Sequence, residues 1–168
     1  GNIYTRLYLM VDLIDLDEKM KMKKKVIIIG GGPAGYQAAV SCSKAGMETT
    51  LIERNQLGGT CVNDGCVPTK TYLEAIKAKQ YLESMGINLK LDPLTLRRAC
   101  ESKISQLGFG AEYVLRKMGV KILWTSASLV GEKKVKTAEG ELLTCDVLIA
   151  ATGSEPVVPK DIHCANLF

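Results

Sequence analysis

One stretch near the start of the chain, a strand pattern that leads into a cluster of glycines, constrains the fold more than any other. Residues 24–29 (K-K-V-I-I-I) form a short apolar, β-branched run, which is typical of a strand buried on both faces. They lead into residues 30–35 (G-G-G-P-A-G), a G-x-G-x-x-G sequence, and a segment at 33–45 has helical spacing that stops at Gly46. Residues 48–53 make a second strand pattern. The sequence therefore predicts a β-α-β unit, the building block of an α/β fold with a parallel sheet.

The same unit has the spacing of a dinucleotide-binding site. Glu53 follows the glycines by about twenty residues, the position of the acid that binds a ribose hydroxyl. The pyrophosphate of such a ligand rests on the helix N-terminus, where unpaired N–H groups and the helix dipole favour negative charge. A lone G-x-G-x-x-G can also be a turn without a ligand. The strand, the helix, the second strand and the terminal acid together favour nucleotide binding over that alternative.

A second constraint is the stretch 57–70 (L-G-G-T-C-V-N-D-G-C-V-P-T-K), which brings two cysteines close together in sequence. Cys61 and Cys66 are five residues apart, and on a regular helix this separation is about 7.5 Å of rise, beyond the Cα spacing that a disulfide closes. A bond between them therefore needs irregular backbone, which Gly59 and Gly65 permit. A disulfide that closes so small a loop adds little stability through loop entropy, so its expected use is redox exchange.

Other interpretations of the cysteine pair remain open at this point. The two residues can be unpaired small hydrophobic side chains, as is common in intracellular chains. A zinc site is less favoured, because the remaining cysteines are scattered and His163 is the only histidine. We therefore expect no metal site.

Three motifs together carry a resemblance to a known family. They are the β-α-β unit that ends in Glu53-Arg54, the cysteine stretch 58–70 that follows it, and L-I-A-A-T-G-S-E-P at residues 148–156. The chain resembles the pyridine nucleotide-disulfide oxidoreductases, most closely the dihydrolipoamide dehydrogenases, with glutathione and mercuric reductases as close relatives. The resemblance covers about residues 23 to 160. It implies a Rossmann-like FAD-binding domain of the α/β class, with a central parallel sheet, helices and an added antiparallel β-meander.

The resemblance also implies which residues carry the chemistry. Cys61 is the outer thiol that forms a mixed disulfide with the substrate, and Cys66 faces the flavin. Lys70 lies by the flavin ring, and Ala127 supplies a backbone contact near the adenine. The full set implied to bind FAD is Gly30, Gly32, Pro33, Ala34, Gly35, Glu53, Arg54, Gly59, Thr60, Lys70, Ala127, Thr152, Gly153 and Ser154.

The implied substrate of the parent enzyme is dihydrolipoamide or another dithiol or disulfide. Electrons pass from it through the Cys61–Cys66 disulfide and FAD to NAD, which binds outside this chain, and the parent is expected to be a homodimer. Two alternatives come from other classes: a nucleotide-binding module without catalysis, and a flavin or NAD enzyme such as a monooxygenase that does not need the cysteines. The dithiol motif argues against the monooxygenase.

The pattern after the cysteines predicts two helices. Pro68 fits the first turn of a helix that begins after the second cysteine, and helical spacing runs from 69 to 85. Asp92 and Pro93 are a suitable N-cap and first residue for a second helix, which runs to 118.

The second helix contains two interior glycines, Gly108 and Gly110, that disfavour it by about 1 kcal/mol each. We expect them to allow close packing against a cofactor or another helix, with a broken helix as the alternative. After this helix the period becomes that of strands. Strands are expected at residues 120–129, 134–137 and 142–151.

Composition fits one domain of a soluble, intracellular protein. The 168 residues carry a formal charge of only +4, part of it from lysines at 19–25 that are typical of a solvated surface, so we expect no nucleic-acid partner. No apolar run approaches the length of a membrane span, so we expect no membrane partner. Six cysteines without a secretory leader predict a reducing, cytoplasmic location.

Two segments are expected along the chain. Residues 1–22 are predicted to be an N-terminal extension or a segment derived from cloning, because the chain begins with Gly1 rather than methionine and Met20 or Met22 would be a natural start. Their apolar run is not expected to be a signal peptide, because two aspartates interrupt it and no cleavage site follows. Residues 23–168 are predicted to be the FAD-binding domain of a longer enzyme, without its NAD-binding, central and interface domains. The chain alone is therefore expected to be inactive in full turnover.

Overall fold

A computed structural model of the protein describes residues 23–155 and residue 157. In chain order the elements of this part are β1 (Lys25–Ile29), α1 (Pro33–Lys44), β2 (Glu48–Glu53), α2 (Gly59–Asn63), α3 (Cys66–Ser84), α4 (Pro93–Lys117), β3 (Lys121–Trp124), β4 (Ala127–Gly131), β5 (Lys134–Thr137), β6 (Leu142–Thr144) and β7 (Val147–Ala150). The expectations for residues 1–22 and for His163 lie outside the described residues. None of the helices described is long and apolar enough to cross a membrane.

A four-stranded parallel sheet forms the centre of the fold, in the order β3-β2-β1-β7. Ile28 of β1 is aligned with Leu51 of β2 on one side and with Ile149 of β7 on the other. The first strand therefore lies inside the sheet with a neighbour on each edge, which is why its sequence is a continuous apolar run. The predicted β-α-β unit and parallel sheet are confirmed.

Other elements pack on both faces of the parallel sheet. The side chains of its central strands point alternately to one face and to the other. Ile28 and Leu51 belong to a core that includes side chains of α1 and α4. Ile27 and Ile52, their neighbours in sequence, belong to a second core, which Val135 of β5 completes. Successive side chains of a strand point to opposite faces, so each central strand contributes to two cores.

The element that packs on the second face of the parallel sheet is a separate antiparallel sheet in the order β4-β5-β6. Its register aligns Ser128 with Lys136 and Val135 with Leu143, and the pairing shifts between Leu129 and Gly131. This sheet is the predicted β-meander. It places the chain segments before β4 and after β6 beside the parallel sheet.

Two of the predicted strands are wrong as single elements, because each is divided between the two sheets. The predicted strand at 120–129 is β3 in the parallel sheet and β4 in the meander, separated by residues 125–126. The Thr125 N–H still donates to the carbonyl oxygen of Glu53 in β2, at 3.0 Å, before the chain leaves the parallel sheet. The predicted strand at 142–151 is likewise β6 and β7. Both sheets bury β-branched residues, so the apolar pattern does not show where the chain crosses between them.

The helix ends follow the capping residues in the sequence, with one shift. Asp92 caps α4, because its Oδ2 accepts a hydrogen bond from a backbone N–H of the first turn at 2.9 Å. The start of α3 is Cys66 itself, where a helix beginning after this cysteine was predicted, and it lies three residues ahead of the helical spacing at 69. The Thr69 N–H donates to the Gly65 carbonyl oxygen at 3.0 Å, so the first turn already includes Pro68, which needs no hydrogen bond there.

The close packing against another helix expected at the glycines of α4 is wrong for Gly110 within the described residues. Within the described part of the chain, a Cβ added at Gly110 would meet nothing within 4 Å. A Cβ added at Gly108 would meet only the carbonyl oxygen of Leu57, at 3.9 Å, an ordinary van der Waals distance. Since α4 continues through both positions, the broken-helix alternative is also wrong.

We expect Gly110→Ala to raise the free energy of unfolding by about 0.5–1 kcal/mol, because alanine loses less backbone entropy in a helix and has room for its methyl group. Urea unfolding followed by circular dichroism measures this. Gly35→Ala in α1 is the contrasting variant: its Cβ would overlap the carbonyl oxygen of Gly30, so it should destabilise the chain. A Gly110→Ala variant that is less stable than the unsubstituted chain would contradict the assignment of an open helix surface.

Candidate cofactor and redox site

The turn between β1 and α1 depends on backbone contacts that only glycine permits. Gly30 has a φ of 103°, and its N–H donates to the carbonyl oxygen of Ile52 at 2.8 Å. A Cβ on Gly30 would overlap the carbonyl oxygen of Ala151, which follows β7. A Cβ on Gly35 would overlap the carbonyl oxygen of Gly30 itself. The first and last glycines therefore hold α1 tightly against the ends of β1 and β7.

The N-terminus of α1 is free to bind an anion. Gly32 is the N-cap and Pro33 the first residue, and no side chain caps this end of the helix. The first turn also contains no acidic residue. The unpaired N–H groups and the positive end of the helix dipole therefore favour a phosphate at this position.

Glu53 connects the end of β2 to the glycine turn. Its Oε2 accepts a hydrogen bond from the N–H of Gly31 at 2.7 Å, and its Oε1 accepts one from the N–H of Asn55 at 2.9 Å. The carboxylate is half-buried at the carboxyl edge of the parallel sheet. The predicted acid thus lies beside the predicted phosphate site, held in place by two backbone donors.

The cysteine stretch docks directly on the glycine turn. The N–H of Gly58 donates to the carbonyl oxygen of Gly31 at 2.9 Å. A Cβ on Gly59 would lie 2.7 Å from the Cα of Gly32, and Gly59 has a φ of 54°. Only glycine fits this approach of two backbones, which brings α2 and its cysteine next to the N-terminus of α1.

Two adjoining clefts open along these elements at the carboxyl edge of the sheet. The first cleft, of about 530 Å³, lies between the glycine turn, the end of β2, α2 and the segment after β7. The second cleft, of about 490 Å³, shares Glu53 and residues 152–155 with the first and extends toward the start of β4. Each volume is within the usual range of about 300–1,000 Å³ for small-molecule and cofactor sites.

The structure brings together most of the residues implied by the family resemblance. Those in the first cleft are Gly30, Gly32, Pro33, Ala34, Glu53, Arg54, Gly59, Thr60, Cys61, Thr152, Gly153 and Ser154. Ala127 lines the second cleft. Three implied residues line neither cleft: Gly35 is a buried residue of α1, while Cys66 and Lys70 are exposed and lie one turn apart at the start of α3.

Cys61 and Cys66 lie on different helices with a sharp turn between them. Cys61 is in α2 and Cys66 is the first residue of α3. A Cβ on Gly65 would lie 3.0 Å from the carbonyl oxygen of Thr60 and 3.5 Å from the Cα of Cys61, so the turn folds back onto α2. The expected irregular backbone is therefore present. Both cysteines are free thiols in this structure.

The two thiols interact with each other. A hydrogen bond with the side chain of Cys66 raises the pKa of the Cys61 thiol above its ordinary value, and partial desolvation raises this pKa further. The charge of Lys70 acts in the opposite direction and lowers the pKa of Cys61. Because the hydrogen bond dominates, Cys61 retains its proton at neutral pH more firmly than an isolated cysteine.

Sequence reasoning missed several residues of the clefts. The first cleft also contains Asn55, Gln56, Asn63, Asp64 and Glu155, and the second also contains Thr125 and Ser126. Most of them follow the carboxyl end of a strand or lie inside the cysteine motif. Those positions in the sequence were the signal that could have identified them as cleft residues. Glu155 forms an exposed ion pair with Arg54, Oε1 to Nη2 at 3.4 Å, between the ends of β2 and β7. Among the described residues, no group of three histidine, cysteine or acidic side chains could hold a metal ion.

Residues 24–166 match the family model described as pyridine nucleotide-disulphide oxidoreductase. The chain belongs to this family. It is 37% identical over 142 residues to the dihydrolipoyl dehydrogenase of Bacillus subtilis, covering 77% of this chain and 31% of that protein. It is 34% identical over 149 residues to the dihydrolipoyl dehydrogenase of Pseudomonas aeruginosa, covering 81% of this chain and 32% of that protein.

Two solved structures have a similar fold. The fold is similar to that of LpdA from Mycobacterium tuberculosis, with a TM-score of 0.72 and 25% identity over 81% of this chain and 33% of that one. It is also similar to the HOCl-induced flavoprotein disulfide reductase RclA from Escherichia coli, with a TM-score of 0.71 and 25% identity over 81% of this chain and 29% of that one. The chain spans about a third of the length of the curated relatives it matches.

The interaction between the thiols predicts a pH effect on alkylation. Removing the Cys66 side chain in Cys66→Ala should lower the pKa of Cys61, because the hydrogen bond that stabilises its protonated form is lost. The thiolate is the reactive form, so the pH profile of iodoacetamide labelling at Cys61 should move to lower pH. Mass spectrometry of digested peptides measures the extent of labelling at each pH, and Cys42 near the far end of α1 is the internal control. An unchanged profile at Cys61 would refute the interaction.

Proposed function

We propose that this chain is the FAD-binding, redox-dithiol part of a dihydrolipoyl dehydrogenase. In this proposal the parent enzyme transfers electrons from dihydrolipoamide, through Cys61 and Cys66 and then FAD, to NAD. The observation that carries the proposal is the first cleft, where a glycine turn, an acidic residue and Cys61 line one cavity. The sequence similarity to dihydrolipoyl dehydrogenases supports the choice of substrate.

The residues of the clefts fit a dinucleotide. The uncapped N-terminus of α1 would hold the pyrophosphate, and the carboxylate of Glu53 would accept hydrogen bonds from ribose hydroxyls. Ala127 in the second cleft would offer a backbone contact to the adenine, and residues 152–154 border both clefts. Lys70 would approach the flavin ring from α3. When bound, FAD supplies a two-electron acceptor between the dithiol and NAD.

The residues of this chain would handle the sulfur chemistry. A thiolate of dihydrolipoamide attacks the sulfur of Cys61 in the Cys61–Cys66 disulfide, which forms a mixed disulfide and releases Cys66 as a thiolate. The second substrate thiolate attacks the substrate sulfur of that mixed disulfide and releases Cys61, so lipoamide leaves oxidised and the cysteines remain reduced. Cys66 is the first residue of α3, where the positive end of the helix dipole stabilises the released negative charge.

The proposal includes the cellular location and the oligomeric state of the parent enzyme. A reducing, cytoplasmic location is part of the proposal and rests on the six cysteines of the sequence. A homodimeric parent is part of the same proposal. A glutathione- or mercuric-reductase-like enzyme is the second candidate, supported by the structural similarity to the flavoprotein disulfide reductase RclA.

FAD binding tests the cofactor assignment. The purified chain should retain FAD through gel filtration, and Glu53→Gln should raise the Kd for FAD about fivefold, because hydrogen bonds to a charged acceptor are worth about 1 kcal/mol more than neutral ones. Quenching of flavin fluorescence measures the Kd. Glu48→Gln, an exposed substitution at the start of β2, should leave it unchanged. Binding of NADH in preference to FAD would contradict the assignment.

The roles of the two cysteines can be separated without any cofactor. A small thiol can attack either sulfur of the Cys61–Cys66 disulfide. The exposure of Cys66 favours attack on the Cys66 sulfur. Attack on the Cys61 sulfur releases Cys66 as the leaving thiolate, and the N-terminus of α3 stabilises that thiolate. We expect leaving-group stability to dominate by several-fold. The oxidised chain is treated briefly with 2-mercaptoethanol, quenched with acid and mapped by mass spectrometry. A mixed disulfide found mainly on Cys66 would reverse the assigned roles.

A further inference from the structure

A threonine lines the second cleft at the point where the chain crosses between the two sheets. Thr125 lies there together with Ser126 and Ala127, the residue that would offer a backbone contact to the adenine. Thr125 is half-buried, and its N–H donates to the carbonyl oxygen of Glu53 at 3.0 Å. The backbone donor of Thr125 is therefore already used, and its hydroxyl is the side-chain group that can meet a polar ligand atom.

The Thr125 hydroxyl is oriented by a carboxylate of the meander. Its Oγ1 lies 2.7 Å from Oε2 and 3.0 Å from Oε1 of Glu139, which is in the turn between β5 and β6. The carbonyl oxygen of Ser126 lies 3.1 Å from the same Oγ1. All three of these neighbours are acceptors, so the hydroxyl is the donor to them. The carboxylate is the preferred acceptor, because it is charged and has the shortest distance.

Glu139 is held beside the crossing segment and stays ionised. The N–H of Ala138 donates to the carbonyl oxygen of Ser126 at 2.9 Å, which ties the turn to this segment. The hydrogen bond from the Thr125 side chain lowers the pKa of the Glu139 carboxyl below its ordinary value, and the backbone N–H of Glu139 lowers this pKa further. At neutral pH the Glu139 side chain is therefore an anion that only accepts hydrogen bonds.

The direction of the hydroxyl proton determines what Thr125 can offer to a ligand. A hydroxyl has one proton to donate and two lone pairs that accept. The proton is committed to Glu139, and no hydrogen bond found within residues 23–155 donates to Oγ1. The free capacity of this hydroxyl is therefore that of an acceptor. Such a group binds an N–H donor and disfavours a carbonyl oxygen at the same position.

We propose that the Thr125–Glu139 pair is a specificity determinant for the base of the dinucleotide, in which the Thr125 hydroxyl accepts a hydrogen bond from the 6-amino group of adenine. Glu139 acts through Thr125 and is a positioning residue. The inference rests on the proposed FAD site and adds how that site selects its base. A site that hydrogen-bonds an N–H group of its ligand discriminates against the analogue that lacks this group.

The experiment compares FAD with its deaminated analogue, in which hypoxanthine replaces adenine. The two ligands share the flavin, the pyrophosphate and both sugar chains, and they differ only at the purine edge that carries the 6-substituent. Titration of the full chain, followed by flavin fluorescence, gives both Kd values. Their ratio is insensitive to changes in folding or in phosphate binding, because such changes affect both ligands equally.

Thr125→Val should raise the Kd for FAD about fivefold, because one hydrogen bond to the ligand is lost, and should leave the Kd for the hypoxanthine analogue unchanged. Thr125→Ser retains the hydroxyl and should preserve the ratio of the two Kd values. Glu139→Gln should raise the Kd for FAD by a smaller factor, because an amide can also donate and no longer commits the hydroxyl proton. In the Thr125→Val background, Glu139→Gln should have no further effect, because Glu139 acts only through that hydroxyl.

Glu141→Gln is the matched control. It removes the same charge from an exposed position in the same connection between β5 and β6, and should leave both Kd values unchanged.

The outcomes distinguish this inference from the proposed function. A loss of affinity confined to FAD in the Thr125 and Glu139 variants supports it. Equal losses for FAD and the hypoxanthine analogue would show a merely structural role, and unchanged Kd values would show none, so either result overturns the inference and leaves the FAD site standing. A chain that binds neither dinucleotide overturns the FAD assignment and this inference with it.

Discussion

The structure depends on the close approach of backbones around the glycine turn that follows β1. The carbonyl oxygen of Gly30 lies where a side chain on Gly35 would have to be, and Gly30 itself is against the carbonyl oxygen of Ala151. These contacts aim the N-terminus of α1 at the carboxyl edge of the sheet. They also bind the end of β7 to the end of β1, so segments distant in sequence meet at one edge. The clefts follow from that convergence.

The division of the apolar segment at 120–129 between the two sheets helps to form the second cleft. Where the chain passes from β3 to β4, Thr125 stays hydrogen-bonded to β2 while Ala127 begins the meander. This crossing creates one wall of the second cleft. Had residues 120–129 formed a single strand in one sheet, no such wall would exist at the edge of the parallel sheet. The error in the predicted strand at 120–129 therefore coincides with a place where the second cleft is built.

The fold holds the two cysteines in different ways. Gly59 packs backbone to backbone on Gly32, which fixes α2 and Cys61 relative to the N-terminus of α1. Cys66 begins α3 beyond the sharp turn at Gly65, exposed and with the helix dipole behind it. A disulfide across this turn would join two helices that the fold already places together. The chain thus supplies two sulfurs in different surroundings, one in the first cleft and one at the exposed N-terminus of α3.

Much of this molecule was determined by its sequence alone. The apolar run at 24–29 and the glycines after it predicted the parallel sheet, because backbone constraints on glycine and strand burial are local and leave a clear pattern. Together with the cysteine motif and the motif at 148–156 they carried the family resemblance, which implied twelve of the residues that line the first cleft. Tertiary structure alone decided where apolar segments cross between sheets. It also decided that Cys61 lies in the cleft while Cys66 and Lys70 do not, since exposure depends on packing between elements that are distant in sequence.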